Sequence, residues 1–147
     1  MTTSETTASD EDPRPVWPTH EVVITDRDGR SSISEVRRPV MRPTEFAPPA
    51  EPFLVSDPVA VDQMLFFEVP VGWTGDWHPS PRSQYYVQLY GSLRVEFGSG
   101  EARVISPGEL MRLEDVTGQG HRSSVVGDAP SRGIFVQLRD PATPKVS

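Results

Sequence analysis

The chain has 147 residues, a formal net charge of −7, 35% hydrophobic residues and no cysteine. That length is enough for one hydrophobic core, and the missing cysteine excludes disulfide scaffolds, thiolate zinc sites and cysteine nucleophiles. The acidic balance speaks against phosphate-backbone binding, so no nucleic-acid partner is expected. No apolar run approaches the roughly 18 residues of a spanning helix, so no membrane partner is expected either.

Residues 1–18 are Thr/Ser-rich, then acidic, then proline-punctuated, a composition that predicts a disordered N-terminal tail. The segment has no basic start followed by an apolar stretch, so it does not read as a signal peptide and the expected location is the cytoplasm. From Glu21 the pattern is β. The run Val22-Val23-Ile24 is followed by Asp28-Gly29, a tight-hairpin signal, and the chain returns over Ile33 to Val36. Residues 39–58 hold six prolines, which predicts an extended connector or an edge. Apolar or alternating runs then recur over Met64–Val71, Tyr85–Tyr90, Leu93–Phe97, Ala102–Ile105, Leu110–Leu113, Arg122–Val126 and Gly133–Leu138, with Gly/Pro turns between. No stretch has the period of an amphipathic helix. Short, evenly spaced strands predict an all-β domain over 19–140, an antiparallel jelly-roll β-barrel, with 141–147 as a short C-terminal tail.

The chemistry is concentrated between Gly72 and Val126, which contains His78 and His121. His78 and Ser80 are two apart and share a strand face, which Asp76 joins if the strand starts early enough. After the turn at Pro81-Arg82-Ser83, Gln84 opens the next strand. Tyr86, Gln88 and Tyr90 fall on its side, and Tyr85, Val87 and Leu89 on the other. A face mixing amides and phenols suits a barrel lined for a ligand better than one built only for packing.

The run Gly72, five residues, His78-Pro79-Ser80, three residues, Gln84, six residues, Gly91 has the spacing of the first cupin motif (residues 72–91). Pro107-Gly108-Glu109 opens a counterpart of the second (residues 107–125), which His121 completes. The chain resembles the cupin superfamily, more narrowly small single-domain bacterial cupins with a Gly-Asp-Trp-His-Pro stretch and a Leu-Glu-Asp-x-Thr-Gly-x-Gly-His stretch, here Gly75–Pro79 and Leu113–His121. The resemblance implies a cupin-type jelly roll with a central pocket, a homodimer, and a metal site at His78, Gln84 and His121. In the motif, Ser80 stands where a ligand histidine is usual and Gln84 where a glutamate is usual, so the metal-binding motif is degenerate. A divalent ion (Zn, Fe, Mn, Ni or Cu) held by His78, Gln84 and His121 is one reading. The other is a metal-free pocket.

In the metal-free reading His78 and His121 are acid/base candidates, because imidazole changes charge near neutral pH. Asp76 orients one of them, and Tyr86 or Gln84 holds an oxyanion or enolate. Such a set suits isomerisation, cyclisation, dehydration or epimerisation of a small carbonyl or polyketide-like metabolite. Expected pocket residues are Trp73, Trp77, Ser80, Arg82, Gln84, Gln88, Tyr90, Phe66, Met64 and Phe135. Each has a plainer alternative: Trp73 and Trp77 as packing residues, Arg82 as a solvated surface charge, and the apolar members as core. A metal-dependent oxygenase and a non-catalytic ligand-binding or sensor protein are the alternative functions. No residue is assigned to an organic cofactor, since Gly-x-Gly-x-x-Gly, Walker and Gly-x-Ser-x-Gly patterns are absent.

Overall fold

A computed structural model describes residues 16–140, so the expected tails at 1–15 and 141–147 lie outside the described residues. Val16, Trp17 and Pro18 precede the first strand without regular structure and are exposed. The strands are β1 (His20–Thr25), β2 (Ser31–Arg37), β3 (Met41–Thr44), β4 (Phe53–Ser56), β5 (Val61–Val69), β6 (Gln84–Tyr90), β7 (Ser92–Phe97), β8 (Ala102–Ile105), β9 (Leu110–Glu114), β10 (His121–Val126) and β11 (Ser131–Leu138). No helix occurs among the described residues.

Six strands form one sheet in the order β2-β1-β9-β6-β11-β5, and three form a second in the order β10-β7-β8. The two sheets share one core. Val23, Tyr86, Met111 and Leu113 from the larger sheet pack with Leu93, Val95, Phe97 and Ile105 from the smaller. The alternation in β7 builds this contact: Leu93, Val95 and Phe97 are buried, while Arg94 and Glu96 lie outward. Burying each such side chain contributes roughly 1.5–3 kcal/mol. The result is a double-sheet jelly roll whose sheets are not closed into a continuous barrel. One pairing departs from the antiparallel expectation: β1 lies parallel to β9, with Val23 opposite Leu113.

One local reading is sharpened and one needs correction. The proline-rich segment 39–58, expected as an extended connector or an edge, supplies two edge strands. It folds into the β3–β4 hairpin, which pairs only with itself and places Pro43 opposite Leu54. In β5 the sides are reversed. Met64 and Phe66 are not pocket residues; Phe66 is 79% exposed, and their neighbours Leu65 and Phe67 turn to the cavity instead. A continuous apolar run carries no polar alternation to fix which side faces inward.

Candidate functional site

The segment after β5 runs back along β10 as an interrupted strand. Thr74 pairs with Ser124 and His78 with His121 in isolated antiparallel bridges. The His78 N–H donates to the His121 carbonyl and the His121 N–H to the His78 carbonyl, both at 2.9 Å. This reciprocal bridge brings two imidazoles, distant along the chain, to a ring-centroid separation of 4.8 Å. They border a cavity of about 520 Å3 between the sheets, lined also by Trp73, Gln84, Tyr86, Ser123, Phe135 and Gln137.

The two histidines are held differently. His121 is buried, and its Nδ1–H donates to Asp115 Oδ2 at 2.6 Å. Asp115 is fully buried and also accepts from the Ser31 hydroxyl at 2.5 Å and the Ser80 hydroxyl at 2.9 Å. Burial pushes the Asp115 carboxyl upward. The hydrogen bond and charge of His121, with the two hydroxyls, outweigh that and hold it below the usual carboxylate range. An ionised Asp115 only accepts, so Nδ1 is the ring nitrogen of His121 that donates, and Nε2 takes no part in this bond. His78 is exposed, and its Nδ1–H donates to the Asp76 backbone carbonyl at 2.9 Å, which again leaves Nε2 free. Two imidazoles therefore lie at one wall of the hollow, the deeper one backed by a carboxylate.

The structure brings together His78, His121, Trp73, Gln84, Tyr86 and Phe135, and it places the other expected residues elsewhere. The Asp76 side chain is exposed, and only its backbone carbonyl meets His78. The orienting role expected of Asp76 falls to Asp115. Tyr86 lines the cavity, but its hydroxyl donates to Gln88 Oε1 at 2.5 Å. Gln88 cannot turn to release it, because its Nε2 is committed to the carbonyls of Tyr90 and Gly91 and to Ser131 Oγ. Burial pushes the Tyr86 phenol up, so it keeps its proton, and that proton is committed to Gln88. Ser80 is spent on Asp115. Arg82 pairs with Asp62 outside the cavity. Trp77 lies under the Arg122 guanidinium, 5.0 Å from the ring centre, and the half-exposed Tyr90 ring lies under Arg132 at 5.2 Å.

Sequence reading missed Gln137, Ser123, Leu65 and Phe67 as lining residues and Ser31 as a partner of Asp115. Gln137 was findable, since it lies two residues beyond Phe135 on the same face of β11. Its Nε2 donates to Gln84 Oε1 at 2.9 Å, and its Oε1 accepts from Gln63. Ser31, 84 residues away from Asp115, leaves no local signal.

The donor set does not fit a tightly held divalent ion. Such an ion takes three or four protein ligands. Here two imidazoles border the hollow, the Gln84 amide oxygen is engaged by Gln137, and the nearby Asp115 carboxylate is taken up by His121 Nδ1, Ser31 and Ser80. No group of three or more His, Cys, Asp or Glu able to hold a metal occurs among the described residues. A larger hollow of about 730 Å3 lies over Tyr85 and Val87, on the opposite face of β6, and contains His20 but neither His78 nor His121. Burial, then the charges of Arg37 and Arg112, lower the His20 pKa.

No family model matches the chain. No curated protein is similar to it. Among solved structures it is similar to the DMSP lyase DddQ from Ruegeria pomeroyi DSS-3, at 20% identity over 55% of this chain and 40% of the lyase, with a TM-score of 0.46. It is similar to a cupin domain from Bordetella pertussis Tohama I, at 17% identity over 71% of this chain and 98% of that one, with a TM-score of 0.44. It is also similar to a sugar phosphate isomerase of the cupin superfamily from Silicibacter pomeroyi DSS-3, at 15% identity over 85% of this chain and 73% of that one, with a TM-score of 0.44. The strand order gives the chain a double-sheet jelly-roll fold, and the pairing of His78 with His121 sits where the Gly72–Gly91 spacing resembles a cupin motif.

Proposed function

We propose that the inner cavity binds a small carbonyl-bearing or polyketide-like metabolite, and that the protein is an isomerase, cyclase or lyase working by imidazole acid/base chemistry. One observation carries this reading: two imidazoles meet at the wall of a hollow, one of them backed by a buried carboxylate. His121 Nε2 takes a proton from carbon next to the substrate carbonyl, and Asp115 stabilises the imidazolium that forms. His78, exposed to solvent, returns or exchanges the proton. The amides of Gln84 and Gln137 hold the developing enolate oxygen. Rings only 4.8 Å apart reach the same face of a bound molecule. That supports a same-face proton shift or syn elimination over an epimerisation that needs bases on opposite faces. The reading needs no metal ion. A homodimer belongs to the same proposal, supported by apolar side chains left exposed on β5 and on the β3–β4 hairpin, among them Phe46, Phe53 and Phe66.

The test uses 2-acetylnaphthalene, a ketone with an exchangeable methyl group, in deuterated water. The wild type is expected to speed methyl proton exchange. His121→Asn keeps a donor toward Asp115 but has no Nε2, so it is expected to lose the acceleration by about 10²–10⁴-fold while staying folded. Binding without exchange would favour the non-catalytic alternative. A stoichiometric metal in the purified protein, lost in His78→Ala, would favour the oxygenase.

A further inference from the structure

Among the described residues, the lining of the inner cavity contains no lysine, arginine, aspartate or glutamate. Its body is aliphatic and aromatic, from Phe67, Trp73, Leu93, Val95, Met111 and Phe135, and its polar side chains are the two imidazoles, the Gln84–Gln137 amide pair, Ser123 and Tyr86, whose hydroxyl is engaged by Gln88. The outer hollow differs, being lined by Glu21, Arg103 and Glu109 among others.

We infer that the ligand of the inner cavity is uncharged: an apolar body with a carbonyl or hydroxyl oxygen at one end, and no phosphate, carboxylate, nucleotide or ammonium group. The inference deepens the proposed function and rests on the same cavity being the ligand site. The cations around it are already engaged. Arg82 pairs with Asp62, and Arg122 stacks on Trp77 and pairs with Glu96 at 2.8 Å, so neither lines the hollow. Behind the wall stands the ionised carboxylate of Asp115, whose negative charge repels an anion. Its oxygens are taken by Ser31, Ser80 and His121, so it offers a cation no direct contact. A charged group moved from water into this hollow would lose its hydration and meet no lysine, arginine, aspartate or glutamate among the described lining residues. A neutral carbonyl can accept from an amide N–H of Gln84 or Gln137, and its apolar body replaces water against the aromatic walls.

Three naphthalenes of similar size separate the cases by calorimetric titration of the full-length protein at pH 8: 2-acetylnaphthalene, 2-naphthoate and 2-naphthyltrimethylammonium. The expected order places the ketone first, with both ions bound about 100-fold more weakly or not at all. Ser123→Arg, which sets a guanidinium on the cavity wall, is expected to raise the affinity for 2-naphthoate relative to the ketone by about tenfold or more. If that variant fails to fold, the wild-type comparison decides alone. Equal or tighter binding of either ion by the wild type would overturn the inference on charge and leave the proposed chemistry standing. Binding of none of the three would overturn both, because the cavity would then not be a site for molecules of this kind.

Discussion

Replacing Gly120 with alanine is expected to be among the most damaging single changes in the chain. Gly120 sits at φ +81°, in the left-handed region where a side chain is strained. A Cβ there would lie 1.9 Å from the His78 carbonyl oxygen and 2.1 Å from its carbon, both rigid backbone atoms. The strain of the conformation, of order 1–3 kcal/mol, adds to an overlap that only separation of the two strands relieves. Separation breaks the reciprocal His78–His121 bridge and with it the convergence of the imidazoles. We expect Gly120→Ala to cost on the order of 4 kcal/mol in denaturant unfolding and to abolish binding of 2-acetylnaphthalene. A loss below about 1 kcal/mol, within the ordinary range for a point change, would mean that the loop does not press on His78 as described.

The second large effect is at Asp115. Asp115→Ala leaves the Ser31 hydroxyl, the Ser80 hydroxyl and the His121 Nδ1–H facing a buried space with no acceptor. Each buried donor left without a partner costs about 1–3 kcal/mol, and with three of them a loss of about 3 kcal/mol or more is expected here. Asp115→Asn keeps one acceptor oxygen and should cost less. The pH dependence has a definite sign. The folded-state carboxyl of Asp115 lies below its ordinary value, which for an unfolded aspartate is about 3.9. Its contribution is therefore fully present above about pH 4 and is lost as the pH falls from there through the lower folded value. Surface carboxylates paired with arginine, the exposed Asp62 and the half-buried Glu96, are lowered as well. The informative quantity is the difference between the wild type and Asp115→Asn, which should shrink on acidification below about pH 4. A difference that does not change across that range would show that Asp115 is not held ionised by these partners.

How far the sequence reaches depends on the residue. The strands were readable because Leu93, Val95 and Phe97 alternate with Arg94 and Glu96, and because glycine or proline marks the turns. The convergence of His78 and His121 followed from motif spacing, and the reciprocal backbone bridge explains that spacing: each histidine must pair with the other across the strands. The environment of the pair was not readable. Asp76 and Asp115 are both acidic residues near a histidine in sequence. Only the fold decides that one faces solvent while the other turns inward against Ser31 and Ser80. Tyr86 was rightly placed on the inner face, but alternation says nothing about where a hydroxyl proton goes. Gln88 and its backbone carbonyls settle that, from beyond the turn at Gly91. In β5 the continuous Leu65-Phe66-Phe67 run hid the register that the mixed sequence of β6 displayed.

The most direct measurement follows the chain's three histidines by long-range proton–nitrogen NMR of their imidazoles during titration with 2-acetylnaphthalene. His78 and His121 border the inner cavity and His20 the outer one, so the three signals act as separate reporters. The account predicts that the His78 and His121 ring nitrogens shift together and saturably while those of His20 stay in place. Movement of His20 alone, or of His78 without His121, would contradict it.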